Sequence, residues 1–197
     1  MTDPRTPAAV WEEMLRGNAR FVAGEPAHPR QDVDRRAETA GSQHPSAALF
    51  GCSDSRLAAE IIFDQGLGDM FVVRTAGHVI DSAVLGSLEY AAEVLEVPLI
   101  VILGHDSCGA VAATLEALDH LQIPGGYIRD LVEKVMPSVI QARSSHGAGP
   151  GATPEQVARV EGSHTTRPCP SRSSARGSAT PCPCSRSSPC CHRSTPS

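Results

Sequence analysis

The sequence predicts an α/β fold in which a mostly parallel sheet is flanked by helices. Apolar runs of strand length lie at 47–51, 70–74 and 98–104. Each run is followed by a longer segment whose apolar residues recur at helical spacing, an order typical of parallel sheets. Polar motifs directly follow the first and third runs. Because ligands bind at the carboxyl ends of strands in such folds, these motifs predict a functional site.

The chain begins with a predicted helical arm. Thr6 and Pro7 are typical of an N-cap followed by proline at the first helical position. Apolar residues then recur at helical spacing as far as Val22, and Gly24 is a suitable stop. Two interpretations remain open: the arm covers the domain's own core, or it packs on a second subunit.

The remaining elements follow in chain order. The most apolar run, 98–104, is expected to be a central parallel strand. A polar, proline-containing segment at 25–46 precedes the first strand and is expected to be largely loop. The predicted helices lie at 57–64, 82–95, 107–121 and 127–143.

Composition divides the chain into a domain at 1–161 and a tail at 162–197. The tail holds five Cys, ten Ser and five Arg, and it contains no Val, Ile, Leu, Met or aromatic residue. Such a segment cannot bury enough apolar area to offset its chain entropy, so we expect it to be disordered. Its abrupt start resembles the result of a shift in reading frame.

Charge and cysteine usage narrow the class of protein. The first 161 residues carry 12 basic and 22 acidic side chains, which argues against a nucleic-acid partner. No apolar stretch reaches membrane-spanning length, and no signal peptide is visible, so no membrane association is expected. Cys52 and Cys108 are the only cysteines of the domain. We therefore expect a reduced, cytoplasmic protein.

The two polar motifs carry the predicted chemistry. Cys52, Asp54, His105 and Cys108 together match the ligand types of a tetrahedral zinc site. Three ligands, Cys52, His105 and Cys108, would leave one coordination position open for water, as in catalytic sites. Asp54 as a fourth ligand would close the site. Arg56 could prevent this closure by forming a bidentate pair with Asp54.

The pattern Cys-x-Asp-x-Arg at 52–56, followed by His-x-x-Cys at 105–108, resembles the β-class carbonic anhydrases. The resemblance covers roughly residues 5–161 and implies one zinc ion per chain. It implies reversible hydration of CO₂ to bicarbonate and a proton, by attack of zinc-bound hydroxide on CO₂. Asp54 and Arg56 would be the catalytic pair.

Further residues follow from the same resemblance. Gln43 matches a glutamine that hydrogen-bonds substrate, and Phe71 and Tyr90 match aromatics of an apolar CO₂ pocket. The family also implies a homodimer or a dimer of dimers. His78 is a conceivable proton shuttle, although a structural role is the commoner one for such a residue. Gly104 and Gly109 could permit tight turns, and Asp106 and Ser107 could either hydrogen-bond the metal ligands or cap the following helix.

Three rival interpretations remain. Cys52 or Cys108 could be a nucleophile with His105 as its base, although a nucleophile requires only one thiol. A structural zinc site with Asp54 as its permanent fourth ligand is the non-enzymatic alternative. The altered tail also admits an inactive relative of the same fold.

Overall fold

The computed structural model describes residues 6–146 and 153–166. Most of the predicted tail therefore lies outside the described residues. The chain divides into two compact units. Within the described ranges, the first comprises residues 6–75 and 80–103, and the second comprises residues 76–79, 104–146 and 153–166.

A parallel sheet forms the centre of the first unit, as predicted. Its strands are β1 (Ala47–Cys52), β2 (Met70–Thr75) and β3 (Ile100–Leu103), in the order β2-β1-β3. Near the carboxyl end, Gly51 lies opposite Arg74 on one side and Leu103 on the other. These bounds agree with the predicted strands to within a few residues.

The position of the third strand corrects one prediction. Within the described residues, β1 is the central strand and the more apolar β3 lies at the edge. All six residues of β1 are buried, whereas Ile100 of β3 is 40% exposed. An apolar run indicates that a strand is buried, but it does not give the strand's place in the sheet. That order is decided by the connections between strands.

Helices cover both faces of this sheet. The helices α1 (Pro7–Ala23) and α3 (Ala59–Ile62) pack on the face formed by Ala47 and Leu49. The helix α4 (Ser82–Glu93) packs on the opposite face, where Ala48 meets Ala91. The alternation of neighbouring residues between the two faces is the two-residue period of a strand.

The first helix starts and ends where its sequence predicts. Thr6 Oγ1 accepts a hydrogen bond from the Ala9 N–H at 3.2 Å, and Gly24 adopts a left-handed conformation at the C-cap. Val10 and Met14 are buried in the core of the first unit, so the helix covers its own domain. Packing on a second subunit stays a prediction.

A short helix, α2 (Val33–Glu38), interrupts the polar segment before β1. Asp32 caps it by accepting a hydrogen bond from the Arg35 N–H at 2.7 Å. The segment is therefore largely loop with one helical turn and a half, as its composition predicted.

The described part of the second unit contains a short 3₁₀ turn at Ala76–His78 and three longer helices. These are α5 (Gly109–His120), α6 (Tyr127–His146) and α7 (Pro154–Thr166). Its core includes Val111, Val135 and Val160. The last helix continues five residues beyond the predicted domain boundary at 161, so residues 162–166 are helical rather than part of a disordered tail. No helix in the described ranges is long and apolar enough to cross a membrane.

Candidate metal centre

The first motif begins at the carboxyl end of the central strand. Cys52 is the last residue of β1 and is 4% exposed. The Ser53 N–H donates to the Thr75 carbonyl at 3.0 Å, which extends the pairing with β2 one residue beyond Cys52. The thiol of Cys52 is therefore attached to a backbone that is held by the sheet.

Asp54 and Arg56 form the ion pair that the spacing suggested. Arg56 Nε donates to Asp54 Oδ1 at 3.2 Å, and Arg56 Nη2 donates to Oδ2 at 3.3 Å. The Arg56 backbone N–H also donates to Oδ1 at 3.0 Å. Both carboxylate oxygens thus face the guanidinium of Arg56, an arrangement that restrains the Asp54 side chain.

Arg74 holds the same loop from the neighbouring strand, and the sequence analysis did not select it. Its Nε donates to the Cys52 carbonyl at 2.8 Å, and its Nη2 donates to the Asp54 carbonyl at 2.5 Å. The sequence feature that could have identified Arg74 is its charge, the single one in the strand Met70–Thr75. A half-buried arginine in such a strand indicates a fixed set of acceptors.

The second motif lies in the second unit, at the start of α5. Cys108 is 3% exposed and is the N-cap of this helix, but its side chain makes no capping hydrogen bond. Its backbone N–H instead donates to Glu161 Oε1 at 2.8 Å, and the Ser107 N–H donates to Oε2 at 3.1 Å. A carboxylate from α7 thus accepts two N–H groups at the start of α5, and the predicted contacts of the Asp106 and Ser107 side chains stay a prediction.

Glu161 is 4% exposed, and its pKa is raised. Burial is the main cause of the rise in this pKa, while the hydrogen bonds from Cys108 and Ser107 oppose it. Sequence reasoning placed Glu161 at a domain boundary and gave it no role. Because its partners lie more than fifty residues earlier in the chain, no local pattern marks it.

The two predicted glycines differ in their structural roles. A Cβ on Gly104 would lie 2.4 Å from Thr165 Cγ2, so close packing of α7 requires glycine there. A Cβ on Gly109 would meet nothing within 4 Å. The left-handed turn between them is made by Ser107, at φ 51°. Neither Gly104 nor Gly109 adopts a left-handed conformation, so the turn does not depend on either glycine, and Gly104 is required for packing instead.

His78 belongs to a group of histidines within the second unit. It is 3% exposed, and its ring centroid lies 6.0 Å from that of His105 and 6.4 Å from that of His164. His164 joins Ser138 Oγ at 2.8 Å and the Gly77 carbonyl at 2.6 Å. The contact with a carbonyl requires Nε2 of His164 to carry the proton, so Nδ1 of its neutral form accepts from Ser138.

The three residues implied as substrate contacts have different environments. Phe71 and Tyr90 lie together in the first unit, with ring centroids 6.1 Å apart and planes inclined by 38°. Phe71 is half-buried, and Tyr90 is 44% exposed. Gln43 is exposed in the loop before β1. The structure brings the two aromatic residues together and leaves their role a prediction.

The donor chemistry suits zinc. Cys52, His78 and His105 each offer one atom of the kind that binds a transition metal, and Cys108 adds a second buried thiol. Thiolate and imidazole ligands are typical of zinc, whereas calcium and magnesium prefer oxygen. His78 is a potential donor that the sequence analysis considered only as a proton shuttle.

Comparison with known families and proteins gives a consistent result. The family model described as carbonic anhydrase matches residues 47–166. The chain is 65% identical over 139 residues to a carbonic anhydrase of Mycolicibacterium smegmatis, covering 71% of this chain and 68% of that relative. It is 68% identical over 137 residues to carbonic anhydrase 2 of Mycobacterium tuberculosis, covering 70% and 66%. The chain thus spans about two thirds of these relatives' length.

Solved structures of similar fold are β-carbonic anhydrases. A tetrameric enzyme of the ascomycete Sordaria macrospora matches with a TM-score of 0.57 at 26% identity, covering 78% of this chain and 76% of that chain. The enzyme CafA of Aspergillus fumigatus matches with a TM-score of 0.53 at 30% identity, covering 77% and 69%.

Proposed function

Because this chain belongs to the β-carbonic anhydrase family of enzymes, we propose that it catalyses the reversible hydration of CO₂ to bicarbonate and a proton. The observation that carries the proposal is the Asp54–Arg56 ion pair directly after Cys52. A site that only held a structural ion would have no need of an arginine that engages both oxygens of a potential ligand.

The proposed ligands of one zinc ion per chain are Cys52, His105 and Cys108. The register of the sheet supports this choice, because Gly51 lies opposite Leu103 at the carboxyl end. Cys52 follows Gly51 directly, and His105 follows Leu103 by two residues. Covalent connectivity therefore starts both motifs from adjacent strand ends, as the sequence analysis expected.

Zinc would supply a Lewis acid that makes water acidic enough to act as a nucleophile near neutral pH. The chain's residues would direct this chemistry. With both oxygens of Asp54 facing Arg56, the carboxylate is restrained as a hydrogen-bond acceptor for the attacking water. Arg74 would keep the Cys52–Asp54 backbone in place while Asp54 accepts this hydrogen bond.

The proposed substrate contacts are Gln43, Phe71 and Tyr90. The paired aromatic rings offer an apolar surface, which suits CO₂ because it lacks strong hydrogen-bonding groups. Tyr90 is exposed in the single chain, which supports the proposal that a second subunit covers it in a homodimer or a dimer of dimers. A cytoplasmic location stays part of the proposal, on the basis of cysteine usage.

The closed alternative, with Asp54 as a permanent fourth ligand, is disfavoured by the same ion pair. Asp54 would have to give up the bonds to Arg56 in order to reach a metal. Measuring zinc content and CO₂ hydration on the same sample separates the two cases. A closed structural site would bind zinc and remain inactive.

The decisive experiment uses Cys108→Ser, with Cys182→Ser, at a cysteine that is not among the proposed ligands, as a matched control. We expect the wild type and the control to bind one zinc and to hydrate CO₂. Cys108→Ser should lose most zinc and nearly all activity, because a hydroxyl is a far poorer zinc ligand than a thiolate. Full zinc content together with full activity in Cys108→Ser would overturn the assignment.

A further inference from the structure

Glu161 places a buried carboxylate against the backbone of the second motif. Each of its oxygens accepts one N–H group, from Cys108 at 2.8 Å and from Ser107 at 3.1 Å. Both distances lie in the normal range for N–H···O hydrogen bonds. Two such bonds to successive residues fix both the position and the direction of this short segment.

The backbone of this segment is strained at one residue, and the cap of the helix that follows it is of an unusual kind. Ser107 adopts a left-handed conformation at φ 51°, which is unfavourable for a residue other than glycine. Cys108 caps α5 without a side-chain hydrogen bond. An external acceptor that binds both N–H groups therefore opposes the relaxation of the turn.

A second contact from the same helix supports this interpretation. Thr165 lies one turn after Glu161 in α7, and its side chain fills the space beside Gly104. Glu161 and Thr165 thus occupy one face of α7 and contact both ends of the segment 104–108. The segment between these contacts carries His105 and Cys108.

We propose that Glu161 is a positioning residue that holds the Ser107–Cys108 backbone in the conformation that binds the metal. The inference rests on the proposed function, because it takes His105 and Cys108 as ligands. Glu161 acts through backbone hydrogen bonds and makes no contact of its own with the metal or with substrate. Glu161 would thus hold the backbone of the second motif, as Arg74 holds the backbone of the first.

The test compares Glu161→Ala and Glu161→Gln with the control Glu155→Gln. Glu155 lies on the same helix, is exposed, and pairs with Arg159 at 2.6 Å, so its substitution removes a helix charge without touching the turn. Glu161→Gln keeps the size of the side chain and one carbonyl oxygen. It therefore preserves one of the two hydrogen bonds even if Glu161→Ala fails to fold.

Two readouts are independent of activity. Zinc affinity, measured by competition with a chelator, should fall roughly 10–100-fold in Glu161→Ala, and by an intermediate factor in Glu161→Gln. In the metal-free protein, hydrogen exchange at the Ser107 and Cys108 amides should accelerate in both variants. Glu155→Gln should match the wild type in both measurements.

The outcomes separate this inference from the proposed function. Unchanged zinc affinity in a folded Glu161 variant would overturn the positioning role, as would unchanged amide exchange. A wild-type chain that binds zinc but does not hydrate CO₂ would overturn the proposed function. The affinity comparison between the variants would still decide the role of Glu161.

Discussion

At the scale of single residues, Asp54 is restrained by the side chain two positions after it. Its two oxygens are bonded to Arg56, and its carbonyl is bonded to Arg74. The side chain of Arg56 is 57% exposed and that of Asp54 is 20% exposed. An exposed ion pair of this kind contributes little to stability, so its value lies in the orientation of the carboxylate.

We predict that Asp54→Asn and Arg56→Ala each lower CO₂ hydration by roughly 10²-fold while zinc content stays at one per chain. Asp54→Asn loses the charge of the acceptor, and Arg56→Ala releases the carboxylate to approach the metal. Stopped-flow hydration rates and metal analysis measure both effects. Arg16→Ala, an exposed substitution on α1, is the control. Wild-type rates in Arg56→Ala would contradict the orienting role.

Asp64 is a second carboxylate whose side chain is held by several hydrogen bonds. Burial by itself would raise its pKa, but the net effect of its partners is to lower it. The Ala27 N–H donates to it at 2.9 Å, Arg20 Nε at 2.6 Å and the His28 N–H at 2.9 Å. This carboxylate therefore ties the loop after α1 to the end of α3.

We predict that Asp64→Asn lowers the free energy of unfolding by about 2 kcal/mol at pH 7. Because the pKa is lower in the folded state, the charge stabilises the fold above the unfolded value of 3.8, and this contribution is lost as the pH falls through the folded value. Urea unfolding at pH 7 and pH 3 should show the difference from wild type shrinking in acid.

Exposed Asp34 provides the control for this experiment. Asp34→Asn should change the free energy of unfolding by less than about 0.5 kcal/mol at both pH values. An Asp64→Asn penalty that is equally large at pH 3 would mean that the lost charge is not its cause.

At the scale of elements, the contact between α1 and α3 depends on the absence of a side chain. A Cβ on Gly17 would lie 1.9 Å from the Phe63 carbonyl oxygen. Asn18 Nδ2 donates to the Ile62 carbonyl at 3.1 Å, which anchors the same approach. Trp11 packs edge-on against Phe63 with ring centroids 6.4 Å apart.

We predict that Gly17→Ala lowers the free energy of unfolding by about 1–3 kcal/mol, because the backbone of α3 must move to accept the methyl group. The control is Gly86→Ala in α4, where a Cβ would meet nothing within 4 Å. That substitution should stabilise the chain by roughly 0.5–1 kcal/mol, since alanine favours the helix. Thermal unfolding of both variants tests the opposite signs. A neutral Gly17→Ala would contradict the close approach.

At the scale of the whole molecule, the last described helix, α7, packs into the second unit beyond Val160. Val160 is fully buried and His164 is 7% exposed, and His164 bonds both Ser138 and Gly77. His164 therefore contributes to the second unit, although composition alone assigned it to the tail. The family match likewise extends to residue 166.

We predict that a chain ending at residue 166 retains the melting temperature and zinc content of the full chain. A chain ending at residue 161 should melt several degrees lower, because it loses both hydrogen bonds of His164 and uncovers Val160. Calorimetry and metal analysis of the two truncated chains test this. Equal melting temperatures for both would show that the end of α7 is dispensable.

Sequence patterns predicted the parallel sheet, the helical arm and the two motifs at strand ends. These features depend on local causes: apolar periodicity, the caps Thr6 and Gly24, and ligand types placed directly after apolar runs. The spacing of Asp54 and Arg56 was likewise sufficient to predict their ion pair, because residues two apart in a turn can pair without help from distant elements.

Tertiary structure alone decided the features that depend on residues far apart in the chain. These include the central place of β1, the contacts of Arg74 with the Cys52 loop, and the carboxylate of Glu161 at Cys108, 53 residues away. Composition ended the domain at Glu161, whereas α7 continues to Thr166. The physical reason is that burial and hydrogen bonding between distant segments arise only when the chain has folded, so no local pattern can encode the partner.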